Sequence, residues 1–117
     1  MCYAVRIVVA GPTRERRLEL RRAAVSAEWE VVADVDGVEQ AIAKTAALRA
    51  RFLVLDAAVA TEHPDRIAAR LADLRPRVFL VGVGEVPGAD ATIATDDLPG
   101  LRTVLAGLLH DSGDHAH

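Results

Sequence analysis

The sequence predicts one α/β domain, a parallel sheet with helices packed on both faces. Strand and helix signals alternate along the whole chain, which implies right-handed crossover connections. The strand runs, such as Ile7 to Ala10 and Val78 to Val81, are apolar without polar interruption, as in strands buried on both sides. At 117 residues and 51% hydrophobic, the chain has enough apolar surface to close one core without a disulfide or a metal.

Taken in order, Val5 to Ala10 is a β-branched first strand ended by Gly11 and Pro12. Thr13 is placed to N-cap a helix reaching about Ala27. Glu30 to Asp34 forms the second strand, and Asp36-Gly37 marks a turn. A helix from Val38 to about Arg49 turns Val38, Ala41, Ile42, Thr45 and Leu48 inward at helical spacing. Phe52 to Leu55 is the third strand, with Asp56 at its C-terminal end. Pro64, after His63, opens a third helix whose inner side is Ile67, Leu71 and Leu74, with Pro76 just beyond its end. Val78 to Val81 is the fourth strand, followed by a loop holding Gly82, Gly84, Pro87 and Gly88, and Ala91 to Ala94 is a short fifth strand. A last helix from Leu98 to His110 buries Leu101, Val104, Leu105, Leu108 and Leu109. The domain is expected to span residues 1–110, with 111–117 a flexible tail.

Composition narrows the partners. A net charge of −3, a pI near 5.7 and 3% aromatic residues argue against a nucleic-acid binder, which wants a basic face or stacking platforms. No apolar run is long enough to span a bilayer, and Arg6 interrupts the apolar start where a signal peptide would need continuity, so a cytoplasmic location is expected. Cys2, the single cysteine, allows no internal disulfide. The basic cluster Arg14, Arg16, Arg17, Arg21 and Arg22 is interleaved with Glu15 and Glu19. Such a stretch reads first as a solvated helix face, and second as a docking surface for an acidic partner.

In an open parallel sheet, ligands and reaction centres lie beyond the C-terminal strand ends. Here that edge holds Ala10, Gly11, Asp34, Asp56, Gly82 and Thr95. Asp56 has no histidine or second carboxylate placed to work with it, so capping of loop N–H groups is preferred over general-base chemistry. Asp34 and Asp36 could join Asp56 around a cation, but turn formation before Gly37 explains Asp36 equally well. Gly82-Val83-Gly84 lacks the following helix that a phosphate cradle needs, and serves a tight turn instead. His110, His115 and His117 with Asp111 and Asp114 sit in a tail without preorganised metal geometry. With no nucleophile–base pair in view, the expectation is a chain that is not an enzyme and uses no cofactor or metal.

At this point the chain resembles a response-regulator receiver domain. Arg6 to Gly37 resembles the first strand, first helix and second strand of receivers without a gap. DVDGVEQAI, Asp34 to Ile42, resembles the receiver turn into its second helix. FLVLD, Phe52 to Asp56, resembles the third strand ending in the phosphoacceptor aspartate, and GADATIAT, Gly88 to Thr95, resembles the fifth strand. The resemblance implies a flavodoxin-like three-layer sandwich with a five-stranded parallel sheet in the order 2-1-3-4-5.

The departures from the receiver pattern carry the functional expectation. Receivers place two acidic residues after the first strand, which hold magnesium together with the acceptor aspartate; here Ala10 and Gly11 stand there. The hydroxyl residue ending strand four is Gly82, and the lysine ending strand five is Thr95. Asp56 is then a vestigial phosphoacceptor position, without the charges that stabilise a transferring phosphoryl group. Only Glu85, Val86 and Pro87 separate Gly84 from Gly88, so the receiver helix between strands four and five is lost or greatly shortened.

Either a partner protein or second copy covers the gap this leaves, or the loop and small residues such as Ala89, Ala91 and Thr92 keep it shallow. These readings converge on a degenerate pseudo-receiver acting by protein–protein contact, in trans to a regulator or as a homodimer. Its expected interaction surfaces are Arg14, Arg17 and Arg21 on the first helix, and Val86, Ala91, Ile93 and Leu101 around the last strand. The alternatives are a sensor of a small anion or metabolite at Gly11, Asp56 and Thr95, and an atypical phosphoacceptor at Asp56.

Overall fold

The computed structural model describes residues 5–26, 29–60, 69–70, 72 and 78–114, with side chains left undescribed at 60 and 111–114. Its strands are β1 (Val5–Ala10), β2 (Trp29–Val35), β3 (Phe52–Asp56), β4 (Phe79–Val83) and β5 (Ala91–Ile93). They form one five-stranded sheet in the order β2-β1-β3-β4-β5, and every pairing is parallel. Helices α1 (Arg14–Ala24) and α2 (Val38–Ala47) follow β1 and β2, and a short α3 (Ala57–Ala60) follows β3 directly. A 3-10 turn (Leu98–Gly100) leads into the C-terminal helix α4 (Leu101–Asp114). No helix among the described residues is long and apolar enough to cross a membrane.

The sheet separates two apolar layers, because successive side chains of each strand turn to opposite faces. Ile7, Val9, Phe52, Val54, Val81 and Ile93 pack with Leu20 and Ala24 of α1 and with Leu101 and Leu105 of α4. Val8, Ala10, Leu53, Leu55 and Leu80 pack with Val38, Ala41 and Ile42 of α2, and with Val59 of α3. Thr45, buried in α2, donates its hydroxyl to the Ala41 carbonyl at 2.7 Å, so its polar atom has a partner. One irregularity interrupts the β1–β2 ladder: Ile7 is opposite Val31, but Val8 is opposite Ala33, so β2 carries one extra residue there.

Several boundaries differ from the sequence reading. α1 ends at Ala24, not near Ala27, where Val25 turns extended and donates its N–H to the Arg21 carbonyl at 3.1 Å. α2 stops at Ala47, since Arg49 takes a left-handed conformation (φ 55°). β4 runs on through Val83, so Gly82 lies inside the strand and not in the loop after it. α4 continues through Asp114, past the expected end at His110. Of the helix expected from Pro64, only residues 69–70 and 72 are described, and they are helical; Ile67, Leu71, Leu74 and Pro76 fall outside the described residues, as do Cys2, His63, His115 and His117.

The β4–β5 connection contains no helix, as the sequence indicated, and the chain fills the gap itself. Val86 folds back over β4 and is 6% exposed, packed into the α2-side layer with Ala89 beside it. Gly82 makes this possible: a Cβ there would lie 2.8 Å from the Val86 Cβ and Cγ2. The loop is pinned at its far end by Asp90, whose N–H donates to the Leu80 carbonyl at 2.8 Å while its Oδ2 accepts the Leu80 N–H at 2.8 Å. The expected interaction surface around the last strand is corrected accordingly. Val86 is buried in the α2-side layer by the loop itself, Ile93 and Leu101 are buried in the opposite layer with α1 and α4, and Ala91 is half-buried.

Candidate functional site

The C-terminal strand ends converge on Asp56. As the last residue of β3, it sits opposite Val83 of β4, and its side chain is only 7% exposed. Oδ1 accepts the Ala58 N–H at 2.9 Å, the loop-capping role that the isolated acid suggested. Oδ2 accepts a hydrogen bond from Arg16 Nε at 2.7 Å. The same guanidinium donates through Nη2 to the Thr95 carbonyl at 2.6 Å, so one side chain of α1 ties the end of β3 to the residues after β5. Arg16 Nη1 lies 3.7 Å from Glu19 Oε1.

Arg16 reaches this position for local reasons. Thr13 caps α1, its Oγ1 accepting the Arg16 N–H at 3.1 Å, which fixes the first turn beside the strand ends. Arg16, Leu20 and Ala24 follow each other at i, i+4 and i+8, so the arginine continues the inward stripe of the helix. Two further arginines work alongside. Arg17 Nη1 donates to the Gly11 carbonyl at 3.2 Å and its Nε is 3.7 Å from Asp34 Oδ1. Arg21 Nη1 donates to Asp34 Oδ2 at 2.7 Å. Arg17 and Arg21, read as part of an interaction surface, are thus also engaged with Asp34 and Gly11 within the chain, and Arg21 stays exposed. Arg14 remains exposed.

The other residues singled out at this edge contribute backbone or space. Ala10 is fully buried and Gly11 is buried, and neither offers a side-chain oxygen. Thr95 is exposed and serves through its carbonyl, with Cγ2 against Gly84. At Gly84 the backbone has φ +92° and a Cβ would lie 2.9 Å from both Ala57 Cβ and Thr95 Cγ2, so only glycine fits.

The residues present do not fit a magnesium ion of the receiver kind. Such an ion asks for several oxygen ligands in near-octahedral geometry. Here one carboxylate is available, and a guanidinium already sits on the oxygen that would bind it. Asp34, the other carboxylate of the edge, is taken by Arg17 and Arg21, and Asp36 is exposed. No group of three or more His, Cys, Asp or Glu side chains among the described residues could hold a metal.

The reading of the arginine cluster as a solvated face missed Arg16. The cluster resolves once the cap at Thr13 is used to set the helical phase: Arg16 then falls on the stripe of Leu20, and Arg14 and Arg22 fall away from it.

Sheet order, crossover helices and an acid at the end of β3 define a receiver fold. Solved receiver domains superimpose on nearly the whole chain. The receiver domain of the response regulator NarL from Mycobacterium tuberculosis covers 91% of this chain, and 96% of its own length is covered, at TM-score 0.73 and 19% identity. The non-phosphorylated receiver domain of the stress response regulator RcsB from Escherichia coli gives 92% and 95% at TM-score 0.75 and 14% identity. The response regulator domain of Thermotoga maritima CheB gives 92% and 92% at TM-score 0.61 and 18% identity. By sequence, neither a protein-family profile nor a curated protein matches the chain.

Proposed function

We propose that this chain is a signalling module of the receiver fold that acts by protein–protein contact and takes up no phosphate by the magnesium-dependent route. The supporting observation is the Arg16–Asp56 pair at 2.7 Å. In-line attack on a phosphoryl donor needs a carboxylate oxygen that is free and a set of cations around the transferring group. Here Oδ2 is held by Arg16, Oδ1 by the Ala58 N–H, and Ala10 and Gly11 supply no ligand for a metal. A sensor of small anions in the same crevice has less in its favour, since the guanidinium spans the distance from Asp56 to Thr95. The contact surface in this proposal is the exposed side of α1, where Arg14 and Arg22 flank Leu18, 41% exposed.

Incubation with acetyl phosphate and magnesium, read by intact mass, is expected to leave the chain unmodified. An acid-labile phosphate that disappears in Asp56→Asn would overturn the proposal. Affinity capture from native lysate tests the contact surface: a partner retained by the wild type and lost with Arg14→Glu plus Leu18→Glu is expected. Equal recovery with an intact fold rejects that surface.

A further inference from the structure

We infer that Arg16 is a tethered cation that latches the ends of β3 and β5 together and holds residues 95–101 in one fixed geometry. The inference rests on the proposed reading of a crevice that does not use magnesium. A bound metal or phosphoryl group comes and goes with its concentration, and loops organised by it change state as it does. A guanidinium carried on α1 is always present, at an effective concentration set by the chain itself.

Three bonds meet on this latch. Nε holds Asp56, Nη2 holds the Thr95 carbonyl, and Asp56 in turn holds the Ala58 N–H of α3. From Thr95 the chain passes through two tight turns, with the Asp97 N–H donating to the Ala94 carbonyl and the Gly100 N–H donating to the Asp97 carbonyl, both at 3.0 Å. It then enters α4, whose Arg102 Nη2 donates to the Arg22 carbonyl at 3.1 Å. The C-terminal segment is thus tied to α1 at both ends of that helix, by Arg16 near its start and at Arg22 near its finish. Between the ties, Leu98 is half-buried against the α1-side layer, Pro99 is exposed and Gly100 is half-buried, while the fully buried Leu101 anchors the start of α4. The latch fixes the part of this segment nearest Thr95, which that packing does not reach.

Hydrogen exchange on the whole chain tests this. In Arg16→Ala and in Asp56→Asn, the Asp97 and Gly100 amides are expected to exchange about tenfold faster, while those of Val9 and Val54 in the central strands keep their protection. Arg16→Lys, which restores the charge without the planar fork, is expected to recover part of the protection. Asp56→Asn preserves side-chain shape and carries the comparison if Arg16→Ala does not fold. Unchanged exchange at Asp97 and Gly100, or the same acceleration throughout the sheet, overturns the latch. Phosphorylation of the wild type by acetyl phosphate would overturn the proposed function separately, so the two failures are distinguishable.

Discussion

Two regions of this molecule are closed in different ways. The ends of β3 and β5 are joined by a charged side chain brought from α1. Beside β4 the apolar face is covered by a single valine brought back by a short loop. Charge can be supplied from a distance by a long flexible side chain, because hydrogen bonds need only the terminal atoms in place. Cover for an apolar strand needs volume against the backbone, so the loop must come close and the strand must give up a side chain to admit it. Gly82 is that concession.

The comparison can be broken most severely in the apolar region. Ile93→Asp places a carboxylate in the apolar layer with Leu101 and Leu105, so a loss of about 4 kcal/mol is expected in urea unfolding. A stable, unchanged Ile93→Asp would mean that the outer strand is not part of the core.

Gly82→Val should cost less, about 2–3 kcal/mol, by forcing Val86 off the strand. If the midpoint for Gly82→Val is unchanged, the loop does not seat as described.

The polar region is expected to respond least and most specifically. A double-mutant cycle of Arg16→Ala and Asp56→Ala should give a coupling of about 1.5–3 kcal/mol, since the carboxylate is buried and the bond is charge-assisted. The same cycle on Arg21 and Asp34, whose side chains are 48% and 31% exposed, should give under about 1 kcal/mol. Equal couplings would erase the distinction between an organising pair and a surface pair.

The fold was largely legible because its signals are local. Short apolar runs mark β1, β3 and β4, and Thr13 and Gly37 mark two helix starts, all readable without knowing the neighbours. The loss of a helix before β5 could be counted directly between Gly84 and Gly88. The site was legible only in part. Asp56 could be read as the acid ending a strand run, whereas the expectation of acids where Ala10 and Gly11 stand came only from the resemblance to receivers. The cation that answers Asp56 lies 40 residues earlier in the chain, and pattern alone does not distinguish it from the other arginines of its helix. Val86 was misplaced on the surface for a related reason: the short connection indicates a gap, but only its packing against Gly82 shows that the gap is closed, while Ile93 and Leu101 are buried in the opposite layer by α1 and α4.

The extra residue of β2 decides which side of the sheet receives a negative charge. In a regular strand Asp34 would alternate away from Val31 and look toward α2. With the ladder shifted after Ile7, it aligns with Val9 and faces the α1 layer, where Arg17 and Arg21 reach it. Were the same residues to run on without that register shift, the carboxylate would face an oily layer and two guanidinium groups would be left on the opposite side, so a backbone irregularity acts here as the sorter of electrostatics between the two halves of the domain.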